Sequence, residues 1–175
     1  MSRTLSTITA LSLSLAGCTS VGQFPLTKIA SGTLRTANGA KSGTVVLLAA
    51  GDAVTINVVV FGLPPGPHGI HLHTAGSCAA PEFASAGGHL NPHSMQHGTA
   101  NPAGSHLGDL PNLIVGSRGT GEITVQLRDS RAAAMAELFD ADGTAIVIHA
   151  DPDDYRTDPS GNSGTRIACA VLQRG

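Results

Sequence analysis

Alternating apolar and polar positions predict a chain built mainly from short β-strands. The segment Gly121–Leu127, GEITVQL, places its apolar side chains on one face, because successive side chains of a strand point to opposite faces. Two β-branched apolar runs, Gly43–Ala50 and Ala53–Phe61, are joined by Gly51-Asp52, a pair typical of a tight hairpin turn. Four more strands are predicted at Ser31–Thr36, Gly69–His73, Thr144–His149 and Arg166–Leu172. Short strands between glycine and proline turns indicate an all-β sandwich or barrel.

Two long segments without a regular pattern interrupt the predicted strands, at Thr74–Asn112 and Ala150–Thr165. Loops of this length in a compact domain are usually functional or disordered. The first contains most of the histidines, so we expect a metal to order it. One helix is predicted over the alanine-rich segment Arg131–Leu138, with Ser130 as its N-cap.

The N-terminal residues are typical of an export signal. Leu5–Leu15 is a short apolar stretch, too short to span a bilayer as a helix. It leads into Leu-Ala-Gly-Cys, which resembles the bacterial lipobox, a motif whose cysteine is lipidated. We therefore expect a signal peptide over 1–17, a lipid on Cys18, a tether over 18–30 and the folded domain over 31–175. The protein would then be periplasmic or held at the cell envelope through Cys18. An ordinary secretory signal is the alternative.

The cysteine count is consistent with export. The chain has three cysteines, and a lipid on Cys18 would leave Cys78 and Cys169 as an even pair. Disulfides persist in oxidising compartments outside the cytosol, so we expect these two residues to be bonded to each other. Two buried free thiols are the alternative.

Composition and charge exclude one class of function. The chain carries a formal net charge of −2, has only 3% aromatic residues and contains no basic run. Binding of nucleic acid needs a basic surface and aromatic groups on which bases stack, so we expect no nucleic-acid partner.

Histidine is the unusual residue of this composition. Seven of the eight histidines lie between His68 and His106. In the segment GIHLH, His71 and His73 stand two apart, so their imidazoles would project from one face of a strand. His149 ends another apolar run, TAIVIH. With a fourth ring from a neighbouring loop, these histidines would form a nitrogen-rich site without thiolate, which suits Cu(II).

A second group of candidate ligands follows in the first long loop. It contains three imidazoles and one carboxylate: His89, His97, His106 and Asp109. Four such ligands close a tetrahedron around Zn²⁺ and leave no open position, which is typical of a structural zinc. Binding of a metal would also stabilise the fold that presents the ligands.

Six motifs occur along the chain in the order GIHLH, GGHLNP, QHG, HLGDLPNL, VIHA and GTRIAC. Together they resemble copper/zinc superoxide dismutase of the bacterial, exported type, from about Ser31 to the C-terminus. The resemblance implies a Greek-key β-barrel or sandwich of about eight antiparallel strands with two long functional loops. It also implies the dismutation of superoxide to dioxygen and hydrogen peroxide, by alternating reduction and oxidation of a histidine-bound copper beside a structural zinc. Monomers and homodimers both remain open.

The same resemblance implies a role for each matching residue. The copper ligands would be His71, His73, His89 and His149. The zinc ligands would be His89, His97, His106 and Asp109. His89 would therefore bridge the two metals and deliver a proton to peroxide. Asp153 matches a carboxylate that links a copper histidine to a zinc histidine, and Arg166 matches the arginine that binds the superoxide anion beside the copper. Cys78 and Cys169 match the family disulfide.

Several polar residues fall outside these roles. His68 matches a family histidine that is not a metal ligand, and we expect it to hydrogen-bond to backbone. His93, in NPHS, is expected to lie in an exposed loop. Ordinary loop carboxylates are expected at Asp151, Asp154 and Asp158. The segment Ala150–Arg166 contains no lysine, so candidates for steering the anion are Arg118, Arg128 and Arg156.

Two other functions compete with dismutation. A copper-binding or copper-delivery protein on this fold would usually lack a copper ligand or the arginine, whereas this chain has them all. A zinc hydrolase needs an open zinc position and a general base. The chain has no HExxH motif, and its only glutamates are Glu82, Glu122 and Glu137.

Overall fold

The structure of the protein, a computed structural model, describes residues 24–127 and 129–175. The predicted signal peptide, Cys18, the first part of the expected tether and Arg128 lie outside the described residues. The described residues form these strands and this helix: β1 (Thr27–Thr36), β2 (Lys41–Ala50), β3 (Ala53–Val60), β4 (Gly66–His68), β5 (Ile70–His73), β6 (Leu113–Val115), β7 (Gly121–Gln126), α1 (Arg131–Leu138), β8 (Ala145–His149), β9 (Arg166–Val171) and β10 (Gln173–Arg174).

Eight of these strands form one curled antiparallel sheet, which confirms the all-β prediction. Seven of them follow the order β5-β8-β9-β1-β2-β3-β7, and β10 pairs with β1. The short strands β4 and β6 pair with each other, and β6 also packs against β7. Because β5 lies beside β8, and β9 beside β1, neighbours in the sheet are distant in sequence, as in a Greek key.

Alternation along the strands divides core from surface. In β2, Val45, Leu47 and Ala49 are buried, while the residues between them are partly exposed. In contrast, β8 is buried at every position. Its Ile146 and Ile148 belong to the main core, whereas the opposite side packs on a second small core with Phe83, Ala86 and Cys169. A strand covered on both faces reads as a continuous apolar run, which explains the sequence AIVIH.

The structure differs from the predicted strands at several places. β1 begins at Thr27 instead of Ser31, because Thr27 and Lys28 already pair with β2. Four residues of the expected tether, 27–30, therefore lie in the sheet. β4 and β6 were not predicted, since three residues are too few to show a period. Gly69 belongs to no strand, and its carbonyl instead accepts a hydrogen bond of 2.8 Å from the His149 N–H.

The predicted helix is confirmed with its cap. α1 spans Arg131–Leu138, and the Ser130 hydroxyl accepts a hydrogen bond of 3.3 Å from the Ala133 N–H. This contact satisfies one of the amide groups that lack partners at a helix start. Ala134 and Leu138 bury one side of the helix. Within residues 24–127 and 129–175, no helix is long and apolar enough to cross a membrane.

Candidate metal centre

Two paired strands carry three of the predicted metal-binding histidines. His71 and His73 lie on β5, which is buried at all four positions and pairs with β8. His149 ends β8. The ring of His89 lies 4.0 Å from that of His71 and 5.0 Å from that of His73, measured between centroids. The two β5 histidines therefore reach the same loop residue from one side of the strand.

Backbone hydrogen bonds join the long loop to the free edge of β5. Leu72 donates to the Gly108 carbonyl at 2.9 Å, and the Leu72 carbonyl accepts from Leu90 at 2.8 Å. This pairing sets His73 opposite His89 and His71 opposite Asp109. A side chain at Gly108 would strike the Leu72 carbonyl oxygen, so only glycine allows this approach. The sequence offered no sign of this role beyond the glycine of HLGD.

Five imidazole nitrogens are buried and have no hydrogen-bond partner among the described residues. Four of them belong to residues whose potential ligand atoms lie within 4.8 Å of one another, and they are His71 Nδ1, His73 Nε2, His89 Nε2 and His149 Nε2. We call these residues the four-histidine group. The other ring nitrogen of His73 contacts the Gly87 carbonyl at 3.0 Å, and that of His149 contacts the Gly164 carbonyl at 3.2 Å. A carbonyl accepts a hydrogen bond only from an N–H group, so this second nitrogen of His73 and of His149 carries the proton. The first nitrogen of each of these two rings therefore presents a lone pair to the common centre.

Burial keeps the rings of His73, His89 and His149 neutral. It lowers the pKa of His73 to about 2, although the hydrogen bond with Gly87 opposes the shift. Burial likewise lowers the pKa of His149 to about 3 and that of His89 to about 4. Neutral imidazoles are the form that binds metals. Buried nitrogens without partners cost free energy, and a metal ion would supply the partner that each lacks. The group therefore fits copper.

A second group converges on one carboxylate oxygen. Asp109 Oδ1 lies 3.0 Å from Nδ1 of His89, 3.0 Å from Nδ1 of His97 and 3.2 Å from Nδ1 of His106. Ligands about 2.0 Å from a tetrahedral Zn²⁺ would be separated by roughly 3.3 Å. The contact with His97 lacks the angle of a hydrogen bond, which leaves that nitrogen without a partner among the described residues. This histidine–aspartate group therefore fits a closed zinc site.

Hydrogen bonds fix Asp109 in this position. Its Oδ2 accepts from the N–H groups of Gly98 at 2.9 Å and His106 at 3.0 Å. Burial raises the pKa of Asp109, but its contacts with His89 and His97 outweigh burial and hold that pKa well below its usual range. The side chain is therefore an ionised carboxylate, as a zinc ligand must be.

Asp153 connects the two groups. Its Oδ2 lies 2.9 Å from His71 Nε2, and its Oδ1 lies 3.0 Å from His97 Nε2. Burial lowers the pKa of His97, but its contacts with Asp109 and Asp153 outweigh burial and raise it to about 9. Asn112, which the sequence did not identify, holds the Asp153 backbone through hydrogen bonds of 2.8 and 2.9 Å.

Arg166 lies beside the four-histidine group. It is paired with His149 across β8 and β9. Its guanidinium donates hydrogen bonds of 2.7 Å to the carbonyls of Phe83 and Gly87. Gly87 is the same carbonyl that contacts His73 Nδ1. A groove open to solvent runs beside the guanidinium and is lined by Pro81, Glu82, Ala84, Gly164 and Thr165. An anion in this groove would meet a positive charge held in place by two backbone carbonyls.

The predicted disulfide is confirmed between Cys78 and Cys169, whose Cα atoms are 5.8 Å apart. It ties the start of the long loop to β9, three residues beyond Arg166. The two cysteines are 91 residues apart. In the chain-entropy model, a crosslink over such a loop contributes about 4–5 kcal/mol to stability.

Of the remaining residues, the two histidines agree with the predictions, whereas the loop carboxylates make more contacts than expected. His68 contacts the carbonyls of His149 at 2.8 Å and Pro64 at 2.9 Å, which confirms a structural role. His93 is exposed, as expected. Asp158 is not an ordinary loop carboxylate, because its Oδ1 accepts a 2.6 Å hydrogen bond from the His97 N–H. Asp154 accepts from several groups of its own turn, including the Thr157 hydroxyl.

Comparisons with known proteins agree with this geometry. The family model described as copper/zinc superoxide dismutase matches residues 41–172. Superoxide dismutase [Cu-Zn] 2 of Aquifex aeolicus is 40% identical over 136 residues, which cover 75% of this chain and 78% of that protein. Superoxide dismutase [Cu-Zn] of Caulobacter vibrioides is 38% identical over 148 residues, covering 82% of this chain and 85% of that protein.

A solved structure gives the same result for the fold. The crystal structure of a superoxide dismutase-like protein from Bacillus subtilis aligns with a TM-score of 0.76 at 37% identity. The alignment covers 82% of this chain and 97% of that chain. Sequence, fold and the two groups of ligands thus agree, and the chain belongs to the copper/zinc superoxide dismutase family, which uses copper and zinc to dismutate superoxide.

Proposed function

We propose that this chain dismutates superoxide at a dinuclear centre built from the two groups described above. Copper would be held by His71, His73, His89 and His149. Zinc would be held by His89, His97, His106 and Asp109, so His89 would belong to both ligand sets. One observation carries the assignment: the imidazoles of the four-histidine group each turn an unpartnered nitrogen toward a common point.

The bound copper supplies the one-electron redox chemistry by which two superoxide ions and two protons become dioxygen and hydrogen peroxide. Arg166 binds each anion, because its guanidinium carries a permanent charge at the groove and is fixed by the Phe83 and Gly87 carbonyls. His89 would hold one of the two protons at Nε2 and donate it to the peroxide product, which requires that Nε2 is not bound to copper at that moment. Asp153 keeps His71 and His97 oriented by accepting from both rings.

Turnover of the protein loaded with copper and zinc tests this assignment. His149→Ala removes one copper ligand and should abolish fast dismutation. His93→Ala is the matched control, because it removes an exposed histidine outside both groups. Equal activity in the wild type and His149→Ala would refute the ligand assignment.

The role of Arg166 needs a separate variant. Arg166→Ala should lower turnover by about 100-fold while copper and zinc contents stay at wild-type values, because only the charge that binds the anion is lost. Arg166→Lys should restore part of the activity, since it keeps a charge without the two-point fixation. Unchanged turnover in Arg166→Ala would remove this residue from the mechanism.

We also propose that the chain is exported, cleaved after residue 17 and anchored at the cell envelope through a lipid on Cys18. The lipobox-like sequence and a disulfide of the kind that persists outside the cytosol support this proposal. The intact mass of protein from the native membrane fraction tests it, with Cys18→Ser as the control. A mature protein that begins elsewhere, or lacks lipid mass, would contradict the anchor.

A further inference from the structure

A third cluster of ligand-type side chains lies outside the dinuclear centre. His93 belongs to the long loop, Asp129 lies just before the cap of α1, and Glu137 lies on the last turn of that helix. The potential ligand atoms of these three residues all lie within 4.8 Å of one another. Three separate segments of the chain thus bring one imidazole and two carboxylates together, and the dismutation mechanism uses none of them.

The spacing within this cluster is wrong for hydrogen bonds and right for shared coordination. His93 Nε2 lies 3.6 Å from Glu137 Oε1 and 3.9 Å from Asp129 Oδ2. A nitrogen–oxygen hydrogen bond is about 2.7–3.2 Å long. Two ligands, each about 2.1 Å from one Zn²⁺, lie roughly 3.4 Å apart in a tetrahedron and farther apart as the angle widens. The cluster matches the second separation more closely than the first.

Two carboxylate oxygens of the cluster have no hydrogen bond that would stabilise their charge. Asp129 Oδ2 and Glu137 Oε2 are shielded from solvent and have no hydrogen-bond partner among the described residues. Burial raises the pKa of the Glu137 carboxyl, and the charge of Asp129 raises it further. Loss of hydration and mutual repulsion both disfavour two charged carboxylates that face each other. A cation between them would offset both effects.

The surroundings of the cluster also attract cations. Glu137 lines a groove together with Asp140 and Asp142, and His89 lies in the same groove. A cleft lined by charge of one sign concentrates ions of the opposite sign. The exposed imidazole of His93 leaves one side of the cluster open to solvent, so an ion could enter and keep water ligands.

We propose that His93, Asp129 and Glu137 form an auxiliary site for a divalent cation of the zinc class. One imidazole and two carboxylates are a ligand set that Zn²⁺ accepts, and three protein ligands leave room for water. The ion would join the long loop to the start and end of α1. The alternative is a protonated His93 that serves as the counter-charge of the two carboxylates.

The test uses the full protein already loaded with copper and zinc, with the copper reduced so that the protein is diamagnetic. Additional zinc alone is titrated in, and its binding is followed by equilibrium dialysis and by the nitrogen resonances of the His93 ring. We expect one further saturable equivalent of zinc per chain, with a shift of the His93 resonances. His93→Gln and Glu137→Gln should each weaken this binding by at least about tenfold.

Glu122→Gln is the matched control, since it neutralises an exposed carboxylate of β7 and should leave the additional binding unchanged. No further equivalent at millimolar zinc would overturn the proposal, as would binding that all three variants retain equally. A His93 ring that responds to pH but not to zinc would establish the protonated counter-charge instead. Dismutation by the loaded protein plays no part in these readouts, so the result is independent of the proposed copper and zinc ligands.

Discussion

The two sides of the proposed dinuclear centre are held in place in different ways. His71, His73 and His149 lie on β5 and β8, whose backbone groups pair within the sheet. The ligands of the other side lie in the loop between β5 and β6, where side chains such as Asp109 and Asp158 satisfy the backbone. The strand side is therefore organised by the fold itself, whereas the loop side depends on charged contacts. One site thus combines ligands positioned by a sheet with ligands that carboxylate hydrogen bonds help to position.

The crosslink between the two sides gives the largest expected effect. Replacing Cys78 and Cys169 together by alanine should lower the free energy of unfolding by about 4 kcal/mol, because the unfolded chain regains the entropy of a long closed loop. Urea denaturation measures this change. The loop side should also lose amide protection before β8 does. Wild-type protein with its disulfide chemically reduced is the control, and a loss below about 1 kcal/mol would contradict the prediction.

The backbone pairing between β5 and the long loop should be the next most sensitive feature to substitution. Gly108→Ala places a methyl group against the Leu72 carbonyl and should cost up to about 3 kcal/mol of stability. Zinc should be held less tightly, because His89 and Asp109 are set by this pairing. Chemical denaturation and metal analysis measure the two effects. Gly88→Ala is the control, since a side chain there meets open space. Equal stability of both variants would refute the close approach of Gly108 to the Leu72 carbonyl.

Asp153 tests how far the two sides depend on each other. Asp153→Asn should weaken zinc binding by about 10–100-fold, because an amide cannot accept from His71 and His97 at the same time. Competition with a chelator of known affinity measures this change. Asp154→Asn alters an exposed carboxylate next to it and serves as the control. If the two variants bind zinc equally, the contacts of Asp153 with His71 and His97 contribute nothing to the free energy of zinc binding.

In the metal-free protein, pH should separate the two sides. Burial lowers the pKa of His73 to about 2 and that of His149 to about 3, so the unfolded chain binds protons below pH 6.5 that the folded chain does not. Stability is therefore highest above pH 6.5 on their account. It falls with acidification toward about pH 3, by at most about 1.4 kcal/mol per pH unit for each ring.

His97 should show the opposite dependence. Its pKa is raised to about 9, so its contribution is complete below pH 6.5 and is lost as the pH rises through about 9. Urea unfolding of metal-free wild type, His149→Gln and His97→Gln between acid and alkaline pH measures both trends. His149→Gln should flatten the acid limb, and His97→Gln the alkaline limb. Parallel curves for all three proteins would contradict the separation.

The sequence predicted the strand side better than the loop side. Alternation and β-branched runs predicted β2, β3, β7 and β8. A strand buried on one face has alternating apolar residues, and a strand buried on both faces has a continuous apolar run. The motifs named the candidate ligands. Asn112 and Gly108 were missed, since their roles arise from a backbone that folds back on β5. The same reason explains Asp158, whose partner His97 is distant in sequence.

The cluster around His93 was also beyond reach of sequence patterns. His93 alone indicated only an exposed loop, and the sequence assigned no role to Asp129 or Glu137. Only the packing of α1 against the long loop brings the three together. Chemistry that depends on a meeting of separate segments has no local signature.

The Gly87 carbonyl oxygen contacts both His73 Nδ1 and an Arg166 N–H. A single atom thus affects the electron-donating strength of one imidazole and, together with the Phe83 carbonyl, the position of the guanidinium that we propose binds the substrate. A shift of this atom would change both properties at once. Anyone who redesigns the protein to alter its redox potential through His73 must therefore expect its anion affinity to change as well, unless a second acceptor is built for the arginine.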